Sequence, residues 1–244
     1  MLVEGRNAVE AALGGDVTVE KVLVQKNVTN PKFIQKIKNS GISYQFLDKA
    51  ALDRMSKSKN HQGFIALVTE YKYYSIDEII ENAYRDGIQP IILILDGIED
   101  PHNLGSIIRT AECMGVSGLV IPKNRAATVN ETVMRVSAGA AAHAKICKVT
   151  NINQEIERLK EKGFWVYACE SGGVPAAGTN LTGPLAIILG GENTGVKHLT
   201  LKLADGVVSI PMFGKTTSLN VSSAAAMILY EINRQRNNHS RQLS

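Results

Sequence analysis

The chain has 244 residues, 44% hydrophobic and 20% charged, a balance that suits a soluble globular α/β class and excludes a disordered one. A formal charge of +4 and a pI near 8.9 favour a polyanionic partner but fall far short of a histone-like binder. Cys113, Cys147 and Cys169 lie far apart with no CxxC pairing, so neither a disulfide framework nor a metal site is expected, and a reducing cytoplasm fits best.

At the N-terminus, Met-Leu-Val-Glu-Gly-Arg shows no basic segment leading into a long apolar stretch. No window of the chain nears the roughly 18 apolar residues of a membrane span, so neither export nor a membrane location is expected. Residues 1–70 read as a small α/β domain. A helix is expected around Asn7–Leu13, a strand at Val19–Val24, a helix at Pro31–Asn39, and strands near Tyr44–Leu47 and Phe64–Val68. Its loop Lys57-Ser-Lys59-Asn-His61 is basic, a candidate phosphate contact or a plain solvated loop. Residues 71–89 read as a linker with a short helix, opened by the capping box Ser75-Ile-Asp-Glu78.

From residue 90 to 244, apolar runs alternate with helical stretches. The helices are expected at Gly105–Met114, Thr132–Ala142, Asn153–Lys162 and Val221–Arg236, the pattern of a parallel sheet covered by helices. The small-residue run Val136–His143 suits close packing on the sheet or on a second subunit, with His143 structural. The polar tail 237–244 is expected to fray.

Three polar segments each follow a strand-like run, Ile91–Leu95, Leu185–Leu189 and Val207–Ile210, and so sit where a parallel sheet delivers its ligand loops. In the first, Asp100-Pro101-His-Asn103-Leu-Gly105 reads as a turn and helix start with Asn103 as a cap candidate. Arg109, six positions on and flanked by Ile107, Ile108 and Ala111, needs a polar partner. A phosphate, a ribose or a surface carboxylate would serve. In the second, Gly190-Gly191-Glu192-Asn-Thr-Gly195 allows a tight turn and a close ligand approach, or is simply a β-turn. No GxGxxG fingerprint follows a strand. In the third, Ile210-Pro-Met212 leads to Ser218-Leu219-Asn220-Val-Ser222, where one of the polar residues caps the following helix and three at alternate positions exceed what a cap requires.

Taken in order, these segments resemble the motifs of the SpoU branch of the SPOUT superfamily, in its TrmH-like subfamily. The resemblance implies a catalytic domain over 90–244 with a parallel sheet and a deep trefoil knot, an exception to the usual topology rules. It implies S-adenosylmethionine-dependent 2′-O-methylation of an RNA ribose, most simply a guanosine of 23S ribosomal RNA, with no metal. Asn103, Arg109, Glu192, Ser218 and Asn220 take the catalytic roles, with Arg109 on the target nucleotide. Gly190, Gly191, Ile210, Met212 and Leu219 take the cofactor. Gly5-Arg6-Asn-Ala-Val9 and the 57–63 loop resemble the family's substrate-binding domain, akin to the ribosomal protein L7Ae type of fold, which implies RNA contact through Arg6, Lys57, Lys59 and His61. A homodimer through the catalytic domain is implied as well. The rival readings are a tRNA or a resistance-type adenosine methyltransferase of the same fold, and a non-catalytic assembly factor that binds RNA.

Overall fold

The computed structural model describes residues 1–14, 17, 19–68, 71–192 and 194–242, with side chains described through residue 237. The chain forms two compact units, one of Met1–Lys72 with Val129–His143 and one of Tyr73–Thr128 with Ala144–Ser244. The expected domain boundary at residue 70 and the last two tail residues lie outside the described residues.

The first unit starts with β1 (Leu2–Glu4), α1 (Arg6–Gly14), β2 (Val19–Gln25), α2 (Pro31–Asn39), β3 (Ser43–Leu47), α3 (Lys49–Met55) and β4 (Phe64–Val68). Among the described residues its sheet has four strands, ordered β1-β4-β2-β3, with only the β2–β3 pair parallel. Asn30 caps α2 by accepting the Phe33 N–H at 3.2 Å ahead of Pro31 at the first helical position, the usual N-terminal arrangement. Leu23, Leu52 and Ile65 form a buried cluster under this sheet.

The second unit begins with α4 (Ile76–Arg85), β5 (Ile91–Asp96), α5 (Pro101–Cys113) and β6 (Gly118–Pro122). The capping box forms as expected: Ser75 Oγ accepts the Glu78 N–H, and Glu78 Oε2 accepts the Ser75 N–H at 2.8 Å. Yet α4 is no linker. Ile76, Ile79 and Ile80 join the core cluster of the second unit, because one face of the helix is apolar and must be buried.

The chain then passes to α6 (Glu131–Val136), β7 (Ile146–Val149), α7 (Ile152–Glu161), β8 (Trp165–Pro175), β9 (Leu185–Gly190), α8 (His198–Leu203), β10 (Gly206–Ser209) and α9 (Val221–Gln242). The segment Val129–His143, expected within the catalytic domain, groups with the first unit. Its single expected helix is broken, since Ala138 and Gly139 both take positive φ, 51° and 91°, before a 3-10 turn at Ala140–Ala142. The small residues do serve packing, but on α1: a Cβ added at Gly139 would lie 2.3 Å from the Ala11 Cβ. His143 is exposed.

Among the described residues the sheet of the second unit has six strands, ordered β10-β8-β9-β5-β6-β7, all parallel. Every residue of β5 is buried, the continuous apolar run of a strand covered on both faces. In register, Asp96 of β5 pairs with Gly190 of β9. The first and second motif loops therefore leave the centre of the sheet side by side, at its carboxyl edge.

Candidate active site

The first motif loop turns into α5 through Asp100, whose Oδ1 accepts the His102 N–H at 3.0 Å, followed by Pro101 at the first helical position. The cap is therefore Asp100, not Asn103, and α5 starts at Pro101 rather than Gly105. This leaves the Asn103 side chain available. It is buried to 9% exposure and donates its amide both to Asp100 Oδ2 at 3.2 Å and to the Glu192 carboxylate.

The second loop is closed on itself. Gly191 accepts the Gly195 N–H at 2.8 Å, and a Cβ at Gly190 would lie 2.0 Å from the Gly195 carbonyl carbon. Glycine is required at 190 because another strand of backbone fills the space of a side chain. Two carboxylates hold this loop. Asp96, 1% exposed at the end of β5, accepts the Lys197 N–H and pairs with the Lys197 ammonium, and Glu170, midway along β8, accepts the Val196 N–H at 2.5 Å.

The third segment, Pro211 to Asn220, is exposed throughout and ends in the cap of α9. Asn220 Oδ1 accepts the Ser222 N–H at 2.9 Å and the Ser222 hydroxyl at 2.6 Å. Among the three candidates the cap is thus Asn220. Its amide donates to Asn103 Oδ1 at 3.0 Å and to Glu192 Oε1 at 3.5 Å. Three motif segments separated in sequence thereby meet in one Asn103–Glu192–Asn220 network.

A cleft opens beside this network. Gly190, Gly191, Ile210, Met212 and Leu219, the five residues expected to take a cofactor, all line it, as do Glu192 and Ser218. Cys169, Glu170, Thr217 and Val221 line it too, and the sequence reading missed them. A signal was present in the alternating run Trp165-Val-Tyr-Ala168 after Gly163, which marks β8. Burial, with a smaller push from the Glu170 charge, raises the Cys169 thiol to about 11, so it stays neutral.

Arg109 stands apart. It is exposed, does not line the cleft, and among the described residues its side chain makes no hydrogen bond or ion pair. Six positions along an α-helix is about 9 Å of rise and some 120° of rotation away from Asn103, so the two side chains leave α5 on different faces.

In the first unit the 56–59 loop is built on one carboxylate. Glu4, 7% exposed, accepts the Ser56 hydroxyl at 2.6 Å, the Lys57 N–H at 2.8 Å and the Ser58 hydroxyl. Lys57 pairs with Glu131 at 2.9 Å, Lys59 is exposed, and Arg6 lies 3.6 Å from Glu10. His61 is a correction to the expected RNA surface. It is 3% exposed, with Nε2 on Asp53 at 2.9 Å and Nδ1 accepting the Gly63 N–H at 3.0 Å. Both ring nitrogens are used internally because the left-handed turn at Gln62–Gly63 folds the ring under the loop.

Among the described residues no group of three or more His, Cys, Asp or Glu side chains is arranged to hold a metal ion. No helix among them is long and apolar enough to cross a membrane.

Residues 90–230 match the SpoU rRNA Methylase family, and residues 2–74 match a family described as RNA 2′-O ribose methyltransferase substrate binding. A tRNA/rRNA methyltransferase of Synechocystis is 40% identical over 96% of this chain, which spans 62% of that protein's length. A TrmH family tRNA/rRNA methyltransferase of Bacillus subtilis is 39% identical over 96% of both chains. A crystal structure of an RNA 2′-O ribose methyltransferase superposes with a TM-score of 0.78 at 28% identity, covering 97% of this chain and 89% of the other.

Proposed function

The chain belongs to the SpoU rRNA methylase family, and from that membership we propose that it transfers the methyl group of S-adenosylmethionine to a ribose 2′-hydroxyl of RNA in the cytoplasm. We infer a guanosine of 23S ribosomal RNA as the target. The observation that carries this reading is the Asn103–Glu192–Asn220 network standing at the edge of the cleft. A protein that only binds RNA has no use for such a constellation beside a cleft.

The cleft residues fit S-adenosylmethionine. Leu189, Met212 and Val221 offer apolar surface to an adenine, Gly190, Ile210 and Leu219 line the same cleft, and the carboxylates of Glu170 and Glu192 favour a cationic ligand. Bound there, it would supply an electrophilic methyl group on a sulfonium, with a neutral thioether as its leaving group.

The work of the chain is therefore alignment. Asn103 and Asn220 hold Glu192 through their side-chain amides, and Asn220 also anchors the start of α9, so the loop bearing Ser218 and Leu219 is fixed relative to the loop bearing Gly190. Arg109 presents a guanidinium with several N–H donors, and its role is to hold the ribose and adjacent phosphate of the target. Its separation from the cleft of its own chain supports a homodimer in which sites form at a subunit boundary. Met227 and Tyr230, 49% and 63% exposed on α9, provide apolar surface on the helix that packs along α5. Most soluble oligomers are twofold dimers of this kind.

Mapping 2′-O-methylated nucleotides in RNA from cells with and without this protein tests the reading. One 23S guanosine losing its methyl group is the expected result. Loss at a tRNA position or at an adenosine overturns the target, and no loss anywhere overturns the activity.

A further inference from the structure

Directly after β6, at the same carboxyl edge of the sheet as the motif loops, the chain runs Lys123-Asn124-Arg125, all exposed. Among the described residues neither cation has a carboxylate within ion-pair distance, in contrast to Arg158, Lys160 and Lys162 of the same unit, which are paired. The loop is also held. The Lys123 N–H donates to the Val149 carbonyl and the Ala127 N–H to the Ile98 carbonyl, both at 2.8 Å. Between these two pins Arg125 takes a φ of +52°, a left-handed conformation that costs a non-glycine residue about 1 kcal/mol or more. Strain of this kind persists where the surroundings over-determine a backbone. Here it fixes the direction in which a guanidinium leaves the surface.

The position relative to the cleft follows from the sheet. β6 lies beside β5, and β9 lies on the other side of β5. At roughly 4.8 Å per strand, the Lys123–Arg125 loop is one strand from the loop carrying Asn103 and two strands from the loop carrying Gly190. The Ala127 to Ile98 bond ties it directly to the first motif loop. A guanidinium is matched in shape to a phosphate, which it can grip through two parallel N–H bonds, and the neighbouring ammonium adds a point charge.

We propose that Lys123 and Arg125 form an RNA-contact site on the catalytic unit itself, gripping the backbone phosphates that flank the target ribose. The inference rests on the RNA-methyltransfer reading above for the identity of its ligand. It assigns to the catalytic unit part of the substrate grip that the sequence alone assigned to the 57–61 loop. Phosphate contacts carry register and affinity, while base contacts carry sequence, so this site fixes where the strand lies over the cleft and not which nucleotide is chosen.

The test uses the full chain with Lys123→Gln and Arg125→Asn combined, asparagine being one of the few residues that tolerate the left-handed conformation. The probe is unmodified 23S ribosomal RNA made by transcription. Affinity for it is measured across a salt series, S-adenosylmethionine affinity by calorimetry, and methyl transfer in parallel. We expect unchanged S-adenosylmethionine affinity, RNA binding weakened several-fold at low salt, and a salt slope shallower by about 1.5, from roughly 0.7–0.9 per lost phosphate contact. Arg125→Gly, which removes the charge and relieves the backbone, should show half that change and guards against misfolding. An RNA affinity and salt slope equal to wild type in both variants overturn the proposal. Failure of the wild-type protein to methylate any RNA would instead overturn the parent reading, and the salt slope would still judge the loop.

Discussion

Asn220 donates its side-chain amide to the side-chain oxygen of Asn103 at 3.0 Å across 117 residues of chain. The same Asn220 caps α9 with its oxygen, so one side chain joins the first motif to the third and sets where the last helix starts. The two tasks use different atoms of the amide and can be separated by mutation.

Asn220→Asp keeps the capping oxygen and removes the donor, whereas Asn220→Ala removes both. The alanine variant should lose about 1 kcal/mol of stability from the missing cap, and the aspartate variant should stay near wild type. Both should lose methyl transfer by roughly a hundredfold or more, on the scale of a lost pre-organised hydrogen bond. Equal unfolding midpoints for the two variants, or full activity in Asn220→Asp, would contradict the assignment.

Arg109→Ala should abolish methyl transfer while leaving S-adenosylmethionine affinity unchanged, since Arg109 does not line the cleft. Its exposure predicts a stability change within about 0.5 kcal/mol. Single-turnover transfer at saturating RNA, run beside calorimetry, decides it.

Lys197→Ala would leave the Asp96 carboxylate, 1% exposed, without its ammonium partner. An unsatisfied buried acceptor costs about 1–3 kcal/mol, or a fall of several degrees in melting temperature for a domain of this size. Because the pair holds the Gly190–Lys197 loop, S-adenosylmethionine binding should weaken in step. Lys197→Arg should restore both, and thermal melts with and without ligand provide the comparison.

Glu4 carries a pH signature. Burial by itself raises its pKa, but hydrogen bonds from the Ser56 and Ser58 hydroxyls and the Lys57 and Ser58 backbone together outweigh it and hold the carboxyl below its ordinary value of 4.5. A depressed folded-state pKa contributes stability that is complete above the unfolded value and lost as pH falls through the folded one. Melting temperature of the wild type should therefore drop as pH falls below about 4.5, and Glu4→Gln should be less stable at neutral pH with a shallower fall over the same window. Parallel pH dependence in the two proteins would rule this out.

Met227→Glu with Tyr230→Glu should convert a dimer to a monomer and remove activity, because charges cannot be buried unpaired at an apolar interface. Light scattering at micromolar concentration is the measurement. An active wild-type monomer would refute the dimer itself.

Much of the second unit was legible in the sequence because its signals are local. Ile91–Leu95 and Leu185–Leu189 are unbroken apolar runs, which only a doubly covered strand sustains, and the Ser75–Glu78 capping box is a four-residue pattern whose partners are its own backbone. That Gly190, Ile210 and Leu219 share one cleft was legible for a related reason: they belong to loops that a parallel sheet must deliver to one edge. Elements that exist by pairing were not. β1, three residues long, is held by its register with β4, Val3 opposite Ala66, and nothing in Leu-Val-Glu by itself demands a strand.

Only the tertiary structure decided which polar atoms meet. Locally, Asn103 and Asp100 are equally good caps; the choice falls to Asp100 because Asn103 is taken by Glu192 and Asn220, 89 and 117 residues away. His61 reads as a basic surface residue until the turn at Gln62–Gly63 and Asp53 bury it. Val129–His143 was expected within the catalytic domain, its small residues on the sheet or a second subunit, but such a stripe fits any close neighbour and α1 is the one it meets. Periodicity and turn chemistry depend on the next few residues, so a sequence carries them explicitly. Hydrogen-bond partnership and burial depend on which distant segments are brought within a few ångströms, and that is determined when the whole chain packs.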